Sequence, residues 1–219
     1  MPRALAVADE VEPWLWTESV RQHKVDLVLA AGDLPFDYLD YLCSTLDRPC
    51  VLVPGNHDPD LSGYRAKRGM WMRDGLPEPW PGPPGAVNAD GRVVEVAGLR
   101  IAGLGGSLRY KPGPNQWTQA QQGRRARLLR LRAALRGGRG VDVLLTHAPP
   151  RHCGDREDPA HQGFECLHGL VGALRPKMLV HGHIHPHGSP VPDRQLGDTA
   201  VVNVVGHRVI DFGPVHHAA

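Results

Sequence analysis

Runs of apolar residues along the chain are separated by polar blocks and by segments with helical periodicity. Five runs have the near-continuous apolar character of buried strands, at residues 3–8, 25–30, 50–53, 141–145 and 178–180. Parallel strands read this way because helices cover the sheet. Four segments predict helices, at residues 14–23, 37–46, 116–136 and 164–174. The strand–helix alternation in the first quarter of the chain predicts parallel pairing with right-handed crossovers.

The remaining segments are shorter or less regular. Residues 93–96 and 100–104 flank Ala97-Gly98-Leu99 and predict a hairpin, and residues 200–204 and 207–212 predict a closing hairpin. Residues 59–85 lose all periodicity and carry several prolines and glycines, which indicates a long irregular excursion. In the helix predicted at 116–136 the apolar face is expected to carry the leucines, at positions 128, 131 and 135.

Polar residues that can bind cations follow these apolar runs. The blocks are Asp9, Gly32-Asp33, Gly55-Asn56-His57-Asp58, Thr146-His147 and Gly182-His183-Ile184-His185. In open α/β sheets, ligands bind at the carboxyl ends of the strands. Oxygen and imidazole ligands gathered there suit divalent cations.

Composition sets broad limits on the protein class. The 219 residues fit one domain, expected at 1–219, and 41% hydrophobic with 22% charged residues is typical of globular proteins. The start turns polar too soon for a signal peptide, and no apolar run has membrane-spanning length. No zinc-ribbon or disulfide spacing links the cysteines, at 43, 50, 153 and 166. Reduced thiols and a cytoplasmic location are therefore expected. Without a membrane-spanning run, no membrane partner is expected.

In order and content, the polar blocks resemble those of the calcineurin-like metallophosphoesterases, over nearly the whole chain. The resemblance implies an α/β fold of two packed mixed β-sheets flanked by helices, a four-layer αββα sandwich. It also implies hydrolysis of phosphate esters, phosphodiesters ahead of monoesters, by attack of a hydroxide that bridges two divalent metal ions. Manganese is the expected metal, with iron, zinc and nickel as alternatives.

The same resemblance assigns the metal ligands. Asp33 is the expected bridge between the two cations. Asp9 and His185 are assigned to the first cation, and the second is assigned Asn56, His147 and His183. An Asn carbonyl binds a cation without adding charge, which keeps a bridging water acidic.

Four further residues are candidates for catalysis and substrate binding. The resemblance makes His57 the proton donor to the leaving oxygen, with Asp58 orienting its ring. Arg109 follows Gly105-Gly106 and offers a planar fork to phosphate oxygens; the alternative is a tight turn with a surface arginine. His161 lies in the polar segment 151–165 and is expected to reach the metals or the substrate, unless that segment is a solvated loop.

One block departs from the family pattern. Where the family usually has Asp-x-His, this chain has Asp9-Glu10-Val11, and valine cannot bind a metal. In an extended strand Glu10 would leave by the face opposite Asp9. The expected outcomes are a weak first site, a replacement ligand or a single metal. The alternative function is a non-catalytic or single-metal member of the family that acts as a binding scaffold.

The expected partner is a small phosphorylated substrate. Seven arginines lie in the predicted helix at 116–136 or just after its end, at positions 124, 125, 127, 130, 132, 136 and 139. Nucleic acid is the alternative partner, but no aromatic residues interleave with these arginines to stack on bases. A solvated helix face is the simpler interpretation. The pattern specifies no oligomeric state.

Overall fold

The fold is described from a computed structural model, for residues 2–137, 140–186, 188 and 191–213. The first half of the chain contains β1 (Arg3–Ala8), a 3-10 helix (Glu18–Gln22), β2 (Leu27–Ala30), α1 (Phe36–Leu46), β3 (Cys50–Leu52), β4 (Arg65–Lys67), β5 (Met70–Arg73), β6 (Leu76–Pro77), β7 (Val87–Asn88), β8 (Val93–Val96) and β9 (Leu99–Leu104). The second half contains β10 (Ser107–Leu108), β11 (Gln116–Trp117), α2 (Gln119–Leu135), β12 (Val143–Thr146), α3 (Cys166–Leu174), β13 (Met178–His181), β14 (Arg194–Leu196), β15 (Thr199–Asn203) and β16 (Gly206–Asp211).

Two large sheets organise these strands. The first has the order β16-β1-β2-β3-β7 and the second the order β14-β15-β13-β12-β9-β8. Both are mixed, because an antiparallel strand flanks the parallel strands at one edge of the first sheet and at both edges of the second. The inner strands are parallel, so their carboxyl ends lie along one edge of each sheet.

Three apolar clusters separate four layers. Between the sheets, alternate residues of β1, β2 and β3 pack against alternate residues of β9, β12 and β13. The other face of the second sheet packs on α2 and α3. The outer face of the first sheet packs on α1 and the 3-10 helix. The predicted αββα sandwich of two mixed sheets is therefore confirmed.

Two predictions of local structure were wrong. Residues 14–23 do not form an α-helix: the amides of Leu15 and Trp16 donate to carbonyls three residues back, and only a short 3-10 helix follows. The closing hairpin does not form either, since β15 pairs with β13 in the second sheet and β16 pairs with β1 in the first. The chain crosses between sheets at Gly206, whose φ of 78° favours glycine.

The long helix α2 buries a face that the leucine pattern did not predict. Its buried residues are Gln122, Ala126, Leu129 and Ala133, whereas the expected leucines are 52% to 78% exposed. Of the buried residues, Ala126, Leu129 and Ala133 belong to the apolar cluster that joins α2 to the second sheet. Arg125, Arg132 and Arg136 donate to groups of this same chain, so those three arginines do not belong to a free basic stripe.

The excursion at 59–85 contains more structure than its composition indicated. β4, β5 and β6 form a small antiparallel sheet, and Trp71 stacks on Trp80 with ring centroids 4.6 Å apart. The stacked rings let this segment pack on itself. In the described part of the chain, no helix has both the length and the apolar character needed to cross a bilayer.

Candidate metal centre

The candidate ligands converge at the carboxyl ends of the parallel strands. Asp9 and His147 directly follow β1 and β12, and Asp33 and His183 lie just beyond β2 and β13. One ligand atom from each of these four side chains lies within 4.8 Å of the others. Residues from both sheets therefore meet at a single point.

The backbone turns sharply at three of these ligands. Asp9, Asp33 and His183 have φ values of 61°, 59° and 68°, in the left-handed region. Such conformations cost roughly 1–3 kcal/mol each in non-glycine residues and concentrate at functional sites. The expectation that Glu10 points away from the cations assumed an extended chain at Asp9. The positive φ of Asp9 shows that the chain is not extended there.

Glycines allow the carboxylates to approach neighbouring backbone. A Cβ atom on Gly55 would lie 2.1 Å from Oδ1 of Asp33, and one on Gly182 would lie 2.3 Å from Oδ2 of Asp9. Real Cβ atoms do not approach other heavy atoms so closely. The two glycines are therefore required by the packing of the two aspartates.

His147 connects the two sheets through both ring nitrogens. Nδ1 lies 2.7 Å from the carbonyl oxygen of Ala31. Nε2 lies 3.1 Å from Oδ1 of Asn56 and 3.3 Å from Oδ2 of Asp33. Burial lowers the pKa of this ring, but the Asp33 carboxylate outweighs burial and raises the pKa to about 9. A proton on Nε2 therefore occupies the place between oxygens where a cation would be bound.

The other ligands differ in their affinity for protons. Burial raises the pKa of Asp33, but the charge and hydrogen bond of His147 outweigh burial and lower that pKa to about 2. Burial raises the pKa of Asp9 to about 6. Burial, together with the charge of His147, lowers the pKa of His183 to about 3. His183 is therefore neutral at pH 7, with Nε2 2.8 Å from the carbonyl oxygen of Ala160 and Nδ1 left as the ligand atom.

This set of donors fits divalent cations. Carboxylates, neutral imidazoles and an amide oxygen are the ligands that manganese, iron, zinc and nickel accept. Asn56 is 3% exposed and adds an oxygen without charge. Ligands must lose their protons to bind a metal, so cation binding is expected to release the His147 proton.

His185 completes the candidate set at the rim. Its Nε2 lies 3.9 Å from Oδ1 of Asp9, and its side chain is 39% exposed. Its Nδ1 lies 2.8 Å from Oε1 of Glu10. The structure thus brings Glu10 to the centre, although an extended chain would have turned its side chain away.

His57 and Asp58 lie beside the bridging candidate. The backbone amide of His57 donates to Oδ1 of Asp33 at 2.8 Å. Oδ2 of Asp58 accepts from the amides of Gly55 and Asp33 at 2.8 and 2.9 Å. Asp58 thus links the loop after β3 to the loop after β2 through hydrogen bonds. Its expected role in orienting the His57 ring stays a prediction.

The two candidates for substrate binding differ in their surroundings. The exposed Arg109 donates from Nε and Nη2 to the carbonyl oxygen of Gln116. Nδ1 of His161 lies 2.7 Å from Oδ1 of Asp158, and the His161 ring centroid is 5.3 Å from that of His183. His161 is therefore next to a candidate ligand. Both substrate-binding roles stay predictions.

One structural residue of the centre had no signal in the sequence. Asn115 is 9% exposed, and its Nδ2 donates to the carbonyl oxygen of Asp58 at 3.0 Å. It follows Pro112-Gly113-Pro114, which indicated only a loop. Its contact depends on a separation of 57 residues along the chain, which local patterns do not encode.

The fold and the ligand cluster define an α/β protein with a candidate metal centre at the strand ends. The family model described as calcineurin-like phosphoesterase matches residues 7–187. The chain therefore belongs to that family, as its motifs indicated. Family membership and the ligand cluster together indicate a metal-dependent phosphoesterase.

Three similar proteins share between 15% and 26% of their residues with the chain. An uncharacterized protein of Haemophilus influenzae is 26% identical over 189 residues, which cover 75% of this chain and 74% of that protein. One crystal structure aligns at a TM-score of 0.62 with 15% identity, over 97% of this chain and all of the other. The protein TT1561 of Thermus thermophilus aligns at 0.61 with 16% identity, over 94% and 89%. These two likenesses support the fold.

Proposed function

We propose that the protein hydrolyses phosphodiesters with two divalent cations, manganese first among them. The convergence of Asp9, Asp33, His147 and His183 within 4.8 Å carries this proposal. Asp33 has one oxygen near His147 and the other on the amide of His57. It is the carboxylate best placed to be shared between a cation at Asp9 and His185 and a second at Asn56, His147 and His183.

The chemistry of such cations is Lewis-acid polarisation of phosphoryl oxygens and acidification of water. Residues of this chain would hold the cations and balance their positive charge. Before a cation binds, Asp33 is ionised, with a pKa of about 2 beside the charged His147. Burial and the same charge keep His183 neutral, with a pKa of about 3, so both side chains are in the protonation state that a cation needs. His57 is exposed beside Asp33, where its ring can deliver a proton to a leaving oxygen.

A cleft next to the centre supports an organic ester as substrate. It has a volume of about 390 Å³ and is lined by Asp33, Leu34, Pro35, Phe36, His57, Asp58 and Pro59. That volume is within the range of small-molecule sites. Its apolar wall, with His57 beside it, fits the organic group that leaves phosphorus, and the diester preference rests on the family resemblance.

Hydrolysis of two chromogenic substrates tests the proposal. Protein stripped with chelator and reloaded with Mn²⁺ is compared on bis-p-nitrophenyl phosphate and on p-nitrophenyl phosphate. We expect metal-dependent release of p-nitrophenol with a higher kcat/KM on the diester. A higher kcat/KM on the monoester would contradict the diester preference. Failure to hydrolyse either substrate with manganese, iron, zinc or nickel would contradict the proposed hydrolysis of phosphate esters.

We expect His57→Ala to lower kcat by about 10²-fold or more while Mn²⁺ stays bound, because general acid catalysis contributes 10²–10⁴-fold. The backbone amide that donates to Asp33 is retained in this variant. Kinetics on the diester and metal content by mass spectrometry give the result. His168→Ala is the matched control, since that exposed histidine lies in α3 and belongs to none of the candidate sets. Unchanged kcat in His57→Ala would refute the role of the ring.

Val11 favours a second candidate, a binding scaffold or a single-metal protein. It lies among the residues packed on the outer core of the first sheet and offers no ligand. Retention of fewer than two equivalents of Mn²⁺ after soaking would support this candidate. The cytoplasmic location stays a prediction that rests on the cysteine spacing.

A further inference from the structure

The first cation site lacks the histidine that Val11 replaces. The structure shows how the other histidine assigned to this site, His185, is held. This site is the set of Asp9, Asp33 and His185. Oδ2 of Asp9 accepts from the amide of His183 at 2.8 Å, which leaves Oδ1 facing Nε2 of His185 at 3.9 Å. The gap is too long for a hydrogen bond. A cation held by Asp9 and His185 would occupy the space between these two atoms.

The ring of His185 is fixed from its other side. Nδ1 lies 2.8 Å from Oε1 of Glu10, so an Nδ1–H can donate to that carboxylate. In this tautomer the lone pair is on Nε2, the atom nearer Asp9. Arg156 also donates from Nη2 to the carbonyl oxygen of His185, which holds the backbone of the same residue.

We propose that Glu10 is a positioning residue that holds His185 in the metal-binding tautomer and so sets the affinity of the first cation site. The inference rests on the cation centre of the proposed function. Carboxylates that accept from the second nitrogen of a metal-binding histidine fix its orientation and raise its basicity, and their loss typically costs 10–100-fold in metal affinity.

The positive φ of Asp9 makes this contact possible. With φ at 61° the chain leaves the strand direction at Asp9, and Glu10 reaches the rim where His185 lies. Val11 then turns into the apolar packing outside the first sheet. The position that usually supplies a histidine therefore supplies core packing, and the preceding residue supports the histidine that remains.

Half of the Glu10 side chain is exposed, so water competes for its hydrogen bond when no cation is present. A cation on Nε2 increases the positive charge on Nδ1–H and strengthens the bond to a carboxylate. Glu10 is therefore expected to affect cation affinity strongly and folding stability little.

Calorimetric titration of chelator-stripped protein with MnCl₂ tests the inference. In the wild type we expect two binding events. In Glu10→Ala one of them weakens by about 10–100-fold. Glu10→Gln keeps an acceptor oxygen for Nδ1–H, so its affinity is expected to stay closer to that of the wild type. Glu12→Ala is the matched control, because that carboxylate lies 3.4 Å from His207 rather than at the centre.

The outcomes separate this inference from the function. Two events of wild-type affinity in Glu10→Ala would overturn the inference and leave the proposed function intact. Equal losses in Glu10→Gln and Glu10→Ala would show that the charge of Glu10, and not its hydrogen bond to Nδ1, sets the affinity, and would overturn the positioning role. A wild type that binds no Mn²⁺ would overturn the proposed function and the inference with it.

Discussion

Asp33→Asn is expected to lower kcat/KM on a phosphodiester by about 10³-fold or more, because metal ions supply several kcal/mol of charge stabilisation and each 1.36 kcal/mol is tenfold. The amide has a neutral oxygen where the carboxylate now faces His147 at 3.3 Å. Removing this charge from a buried group of candidate ligands would weaken the binding of the two proposed cations. Metal content by mass spectrometry should fall from two equivalents to one or none.

The control for this variant is Asp37→Asn. Asp37 is exposed in the first turn of α1, only four positions further along the chain. It is expected to keep wild-type metal content and activity. If Asp33→Asn retained two equivalents and wild-type kcat/KM, the bridging assignment would be wrong.

Gly55→Ala is expected to lower metal content and to reduce kcat/KM by about 10²-fold or more, since a misplacement of about 1 Å in a catalytic group costs that much. The added methyl carbon would lie 2.1 Å from Oδ1 and 2.5 Å from Cγ of Asp33. The carboxylate must then move from its place between the His57 amide and His147. Mn²⁺ titration and diester kinetics measure the effect.

Gly123→Ala provides the comparison for the glycine variant. Gly123 lies inside α2, and a Cβ atom there meets no heavy atom within 4 Å. Alanine is favoured over glycine in helix interiors by about 1 kcal/mol. This control should unfold at a slightly higher temperature with unchanged activity. Wild-type metal affinity in Gly55→Ala would show that the close approach of Asp33 is not needed.

Features repeated at many strand ends could be predicted from the sequence. The buried strands follow from apolar runs that end in short polar blocks, whereas the two-sheet sandwich was implied by the family resemblance of those blocks. The candidate ligands each follow such a run, and parallel strands bring those ends to one edge. The convergence of Asp9, Asp33, His147 and His183 was therefore accessible to sequence reasoning.

Features that depend on tertiary contacts were not accessible. The leucine stripe of α2 is a helical pattern as regular as the one at 122, 126, 129 and 133, and only the contacts of α2 with the second sheet show which of the two is buried. β15 and β16 do not pair, because β15 pairs with β13 in the second sheet and β16 pairs with β1 in the first. Nothing local distinguishes that arrangement from a hairpin.

The contact of Glu10 with His185 was missed for a backbone reason. An extended chain would send Glu10 and Asp9 to opposite faces, but the φ of 61° at Asp9 breaks that alternation. Asp enters the left-handed region more readily than most residues. No residue pattern in the first block says that it does so at this position.

Anomalous scattering from Mn²⁺-soaked crystals tests the central claim most directly. We predict two peaks on either side of the Asp33 carboxylate, one near Asp9 and His185 and the other near Asn56, His147 and His183. No peak beside Asp33 would contradict the account.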